Sequence, residues 1–137
     1  QGATLKKFGK LIATLVADET ENEDMAEFIQ PLAKLGQQMT QFTGEIGMKA
    51  MSNADEVGAA AVDYLRVTGH LVFAYFWARM AKVALHNIAQ GNRDPFYKAK
   101  VQTARFYFAK LLPETASLMQ TARAGSAVLM DTQDVFA

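Results

Sequence analysis

Two histidines, His70 and His86, are the residues that most readily suggest chemistry, because imidazole binds metals and transfers protons near neutral pH. In helical bundles that hold paired iron ions, such a histidine follows a glutamate by three positions. Val67 and Val83 stand at those positions here. The chain also has no cysteine, which excludes disulfides and thiolate metal sites. We therefore predict no metal site and interpret both histidines as structural residues.

Nucleophilic and phosphate-binding motifs are absent from the sequence. Serines and threonines are scattered, and none stands in a Gly-x-Ser-x-Gly elbow. Gly44 and Gly47 do not form a phosphate loop, because they fall late in a segment of helical period with no strand before them. The sequence therefore predicts no catalytic residue in this chain.

Charges are segregated, although 14 basic and 14 acidic residues cancel. A balanced charge argues against nucleic acid as the main partner. We favour solvated faces as the reason for the segregation; the alternative is a basic surface that meets an anionic cofactor or an acidic partner. The acidic cluster comprises Asp18, Glu19, Glu21, Glu23, Asp24 and Glu27, and the basic cluster comprises Arg79, Lys82, Arg93, Lys98, Lys100, Arg105 and Lys110.

Apolar residues recur three and four apart along the whole chain, which predicts an all-α fold. With short turns between helices, we expect one domain over residues 1–137: an antiparallel up-down four-helix bundle with one long, partly uncovered helix and an apolar tail that docks on its surface. The longest apolar run, residues 71–78, is too short to span a membrane. The predicted helices cover about 3–17, 23–51, 54–90 and 95–124.

Capping residues set these helix ends. Thr20 and Glu23 have the spacing of a capping box, and Asn53 has the same relation to Glu56. Gly91 with Asn92 should end the long helix. Asp94 before Pro95 should start the last one, which Gly125 should end, and bends are expected at Pro31 and Pro113.

Aromatic residues outnumber the core positions that the helical seams provide. Those off the seams would make a large exposed apolar patch, which an interface explains better than a cofactor box does. Trp77 and Tyr107 are the expected anchors. Lys100 and Arg105 are assigned either to a basic rim of this interface or to ion pairs within the domain, and the sequence favours the second at least as much as the first. The candidate interface residues are Phe76, Trp77, Arg79, Lys100, Arg105 and Tyr107.

The stretch from Asp94 to Pro113 has a recognisable pattern, FYxxKxxTARFxFxxLLP. It resembles the C-terminal extension domain of one branch of the acyl-CoA dehydrogenase family. Residues 64–69 and 77–81 agree with this resemblance, as do Gly125, Leu129, Met130 and Phe136. The resemblance covers most of residues 25–137.

This resemblance implies a piece of a longer flavoenzyme that uses FAD to oxidise acyl-CoA to 2-enoyl-CoA. The catalytic base and the flavin site of that family lie in preceding domains, so no catalytic or cofactor-binding residue is carried over, and Glu45, Glu56 and Glu114 are not assigned as bases. A chain that begins at Gln1 fits an excised domain.

The expected role is interaction with those preceding domains and with a second subunit, in the cytoplasm, without nucleic acid or metal. A stand-alone bundle that binds an apolar ligand or a partner helix is the alternative.

Overall fold

Helices and turns make up residues 2–125, the part of the chain described by the computed structural model. No strand occurs within that range, so the all-α prediction is confirmed. The up-down order of the bundle stays a prediction, and the apolar tail lies outside the described residues. The α-helices are α1 (Gly2–Glu19), α2 (Ala26–Ser52), α3 (Asp55–Ala89), α4 (Pro95–Phe106) and α5 (Glu114–Arg123).

Two of the expected helix starts are confirmed by their caps. The Asn53 side chain accepts a hydrogen bond from the backbone N–H of Asp55 at 3.0 Å, at the start of α3. Asp94 does the same for Phe96 at 3.0 Å, and Pro95 is the first residue of α4. These caps satisfy backbone donors that have no partner inside the helix.

The end of α3 is also as expected. Gly91 has a φ of 87°, a left-handed conformation that favours glycine. The N–H of Asn92 donates to the carbonyl of Asn87 at 3.0 Å, and that of Gly91 donates to Ile88 at 3.0 Å. This pair of bonds is a Schellman motif, which satisfies the last carbonyls of the helix.

The start of α2 differs from the expected capping box. Thr20 donates its hydroxyl back to the carbonyl of Val16, because α1 continues to Glu19 and its last carbonyls need donors. Asn22 is the cap instead, and it accepts from the N–H of Asp24 at 3.1 Å ahead of a short 3₁₀ turn, Glu23–Met25. Helix α2 then runs on through Pro31.

The last predicted helix is divided in two by a π-helical segment, Tyr107–Leu111. There the N–H of Leu112 donates to the carbonyl of Tyr107 at 2.9 Å, five residues back. Pro113 follows; it has no N–H to donate and crowds the preceding turn, and the α-helix is interrupted at this point. A new helix, α5, begins at Glu114.

The described residues divide into two compact units, and the organisation as one domain stays a prediction. Unit 1 comprises residues 2–37 and 71–113, and unit 2 comprises residues 38–70 and 114–125. The buried apolar core of unit 1 includes Phe28, Leu32, Ala74, Ala78, Ala81, Val101 and Ala104, and that of unit 2 includes Met39, Phe42, Ala60, Val67, Leu118 and Met119.

Candidate interaction groove on unit 1

Helix α3 carries apolar residues on two opposite faces within unit 1. One face is the core face, where Ala74, Ala78 and Ala81 are fully buried. The other face bears Phe73, Phe76, Met80 and Val83, which follow one another at spacings of three and four residues. Residues so spaced lie in one line along a helix. We call these four residues the outer stripe of α3.

The outer stripe is exposed to solvent. Phe73 is 59% exposed, Phe76 48% and Val83 57%, while Met80 is half-buried. These values confirm that the aromatic residues outnumber the core positions of α3. An exposed line of this kind is a common feature of surfaces that meet another protein.

Helix α4 turns the part of this line from Phe76 to Val83 into a groove of about 300 Å³. The Schellman turn at the end of α3 and the Asp94 cap return the chain so that the first turns of α4 lie beside the outer stripe. Phe96, 55% exposed, forms part of the α4 wall. The groove is lined by Phe76, Arg79, Met80, Val83 and Ala84 from α3 and by Phe96, Tyr97 and Lys100 from α4.

Two cations, Arg79 and Lys100, stand at this apolar groove. The ammonium of Lys100 lies 5.1 Å from the centre of the Phe96 ring and 5.9 Å from that of Trp77. The guanidinium of Arg79 lies 5.8 Å from the Tyr75 ring. Aromatic faces attract cations but leave the net charge in place. Within residues 2–125 neither cation forms a salt bridge, so the groove keeps both positive charges.

Two other cations of unit 1, Arg105 and Lys82, are paired with carboxylates. Arg105 donates from Nε and Nη2 to the two carboxylate oxygens of Glu27, at 2.7 Å and 3.1 Å. This hydrogen bonding raises the pKa of Arg105. Lys82 lies 2.8 Å from a carboxylate oxygen of Glu19. The segregated charges of the sequence therefore meet in part as ion pairs within the unit.

The candidate interface residues are thus distributed between three environments. Phe76, Arg79 and Lys100 line the groove. Trp77 is half-buried beneath Lys100, and Arg105 is held by Glu27. Tyr107 is only 5% exposed, and burial raises the pKa of its hydroxyl well above the ordinary value of 10.0. A residue so buried lies in the core of unit 1 and presents little surface to a partner.

Several groove residues were not among the candidates. The lining is completed by Met80, Val83, Ala84, Phe96 and Tyr97. The outer stripe of α3 has a helical spacing that is visible in the sequence. The apolar residues on the core face of α3 already predict a helix, so this second line of apolar residues is easily overlooked. A second apolar period on the opposite face of the same helix is the sequence signal that identifies the outer stripe.

The two histidines take part in no cluster of metal-binding side chains within residues 2–125. His70 Nε2 lies 3.4 Å from a carboxylate oxygen of Glu114, whose other oxygen bonds to Arg66 in unit 2. His86 is exposed on the last turn of α3. In the described ranges no three His, Cys, Asp or Glu residues converge on a point where a metal could bind. Nor is any helix there long and apolar enough to cross a membrane.

Comparison with known families agrees with this architecture. A family model described as "Acetyl-CoA dehydrogenase C-terminal like" matches residues 8–133, which include the whole groove. The chain belongs to this family. The resemblance drawn from the α4 motif is therefore confirmed. A search of curated proteins found no match.

Membership implies FAD in the parent enzyme, and the groove residues can be tested against that cofactor. The lining offers aromatic and aliphatic side chains, two cations and one tyrosine. A flavin needs hydrogen bonds along its ring edge, and its pyrophosphate is normally held by backbone N–H groups at a helix start. The groove residues do not fit FAD.

Proposed function

We propose that this chain is the C-terminal helical interaction domain of an FAD-dependent acyl-CoA dehydrogenase. The parent enzyme oxidises acyl-CoA to 2-enoyl-CoA in the cytoplasm, and its flavin and catalytic base belong to the domains that precede this one. The domain itself does no chemistry. It joins the preceding domains to a second subunit and so supports assembly of the enzyme.

The observation that carries this proposal is the groove of unit 1, with its exposed apolar residues. Phe76, Val83 and Phe96 are each about half exposed. Burial of such side chains against a partner yields about 1 kcal/mol or more apiece, from the apolar area removed from water. Clustered aromatics beside cations are also the residue types enriched at protein interfaces.

Matched phenylalanines allow a direct test. Phe96 lines the groove and is 55% exposed, whereas Phe106 is 57% exposed and is not among the lining residues. In the full protein encoded by the same reading frame, we expect Phe96→Ser to shift the oligomer toward smaller species by light scattering, with FAD absorbance per chain retained. Phe106→Ser should assemble normally.

Two results would overturn the proposed role. One is unchanged assembly after deletion of residues 1–137 from the full protein. The other is a purified 137-residue chain that binds FAD stoichiometrically or oxidises acyl-CoA in a dye-linked assay, since either would reveal a catalytic site in the domain itself.

A stand-alone bundle that binds an apolar ligand is the second candidate. The groove volume of about 300 Å³ favours it, since small-molecule pockets begin near that size. A reading frame that starts just upstream of Gln1, together with saturable binding of a fatty acid by the isolated chain, would support this candidate over the first.

A further inference from the structure

We infer that the groove of unit 1 receives an amphipathic helix that has acidic residues beside its apolar face. This inference rests on the proposed function, and it specifies the chemistry of the partner surface. Three features carry it: the period of the outer stripe, the two positive charges, and the lack of an acid in the lining.

The period of the outer stripe indicates a helix as the occupant. Phe73, Phe76, Met80 and Val83 alternate at three, four and three residues, the spacing of the apolar seam along which two helices pack. The part of the stripe that lines the groove, from Phe76 to Val83, advances 1.5 Å per residue, so it runs for roughly 10 Å, or about two helical turns. Peptide grooves that take helices bind through anchors at such intervals.

The charges of the groove indicate acids on that helix. Arg79 and Lys100 rest against aromatic rings and have no carboxylate in salt-bridge contact among residues 2–125. A partner that covers the apolar lining would also reduce their contact with water. Carboxylates beside the apolar seam of the partner helix would form ion pairs with both cations and so offset this loss of hydration. Charged residues beside the seam of a coiled coil pair in the same way.

A second copy of this chain fits the groove poorly. A two-fold dimer through the same face would bring Arg79 and Lys100 of both copies together. The lining contains no acid to oppose them. Like charges in one interface disfavour association, so the occupant is a different surface.

Two designed peptides test the inference with the 137-residue chain. Both are helical, lack tryptophan and have leucine at the seam; one has glutamate at the flanking positions and the other has lysine. Anisotropy of a labelled peptide reports affinity, and the emission of Trp77, the single tryptophan, reports contact near Lys100. We expect the glutamate peptide to bind at least about five-fold more tightly, from two exposed ion pairs.

Variants assign that preference to the groove. Arg79→Gln with Lys100→Gln should remove most of the preference for glutamate, and Phe96→Ser should weaken both peptides about ten-fold. Phe106→Ser is the matched control and should leave both affinities within about two-fold. Circular dichroism on each variant confirms that the helices are intact.

Other outcomes would overturn the inference. Equal affinity for both peptides would reject the acidic flank, and no binding of either peptide would reject the helix. Saturable binding of decanoate below its micellar concentration, without peptide binding, would identify a small amphiphile as the occupant. If neither peptide binds but Phe96→Ser still disrupts assembly of the full protein, the inferred helical partner is rejected and the proposed function stands. If the peptides bind but Phe96→Ser does not change assembly of the full protein, the proposed function is rejected.

Discussion

Glu19 is an acid of the acidic cluster that pairs with a lysine of the basic cluster inside unit 1. It is the last residue of α1, where the negative end of the helix dipole disfavours an acid, and its side chain is nearly buried. Lys82 and Asn22 offset both costs with bonds of 2.8 Å and 3.0 Å. Burial raises the pKa of Glu19, but the hydrogen bonds from Lys82 and Asn22 and the charge of Lys82 outweigh it, so the pKa lies below 4.5.

The stability contributed by this carboxylate should therefore depend on pH. Because the folded pKa is lowered, the contribution is full above 4.5 and is lost as pH falls through the folded value. We expect Glu19→Gln to cost about 1 kcal/mol of unfolding free energy at neutral pH, and the difference from the native chain to shrink in acid. Urea unfolding at several pH values measures both.

The control for this measurement is Glu21→Gln, which alters an exposed carboxylate in the next turn. That variant should change the unfolding free energy by less than about 0.5 kcal/mol. A difference between the native chain and Glu19→Gln that is constant over the acid range would contradict the assignment of the stability to the ionised carboxylate.

At the scale of single residues, local chemistry was predictable and side-chain partners were not. The Asp94 cap and the positive φ of Gly91 follow from residue type and near neighbours, and both are as expected. An ion pair of Arg105 within the domain was one of the two expected arrangements, but its partner, Glu27, lies 78 positions away in the sequence. A bond at that separation depends on how helices pack, which a periodic pattern does not specify.

At the scale of elements, the π-helical segment changes which residues of the last predicted helix are buried. A continuous 3.6-residue period from Ala104 would bury Phe108 and Leu111. One extra residue in the turn rotates the residues that follow it about the helix axis, so Leu112 is buried while Leu111 is 45% exposed. Pro113 predicted a bend, but a π-helical turn ahead of it depends on backbone hydrogen bonds that the sequence pattern does not specify.

The different burial of two neighbouring aromatics in this region predicts unequal costs. Tyr107→Ala should destabilise the chain by about 3 kcal/mol, because it empties a buried site, whereas Phe106→Ala should cost less than about 1 kcal/mol. Tyr107 is 5% exposed and Phe106 is 57% exposed. Chemical denaturation of the two variants checks the order, and equal losses would contradict the placement of Tyr107 in the core and of Phe106 at the surface.

At the scale of the whole molecule, the exposed groove coexists with a chain of no net charge. The 14 basic and 14 acidic residues cancel, and the isoelectric point is about 6.9. Charge repulsion between whole chains is then weakest near neutral pH, where exposed apolar side chains such as Phe76, Val83 and Phe96 contribute most to nonspecific aggregation. The groove, of which the sequence predicted only part, thus adds apolar surface that lowers the solubility of the isolated domain.

Solubility of the isolated chain should follow from these two properties. We expect a minimum near pH 6.9, and we expect Phe76→Ser with Phe96→Ser to raise solubility at that minimum several-fold without moving its pH, because the net charge is unchanged. Ala109→Ser, at an exposed site outside the groove, is the control and should have little effect. Precipitation assays across pH measure the profile. A minimum whose depth does not respond to the double substitution would mean that the exposed groove residues do not contribute to nonspecific precipitation of the isolated chain.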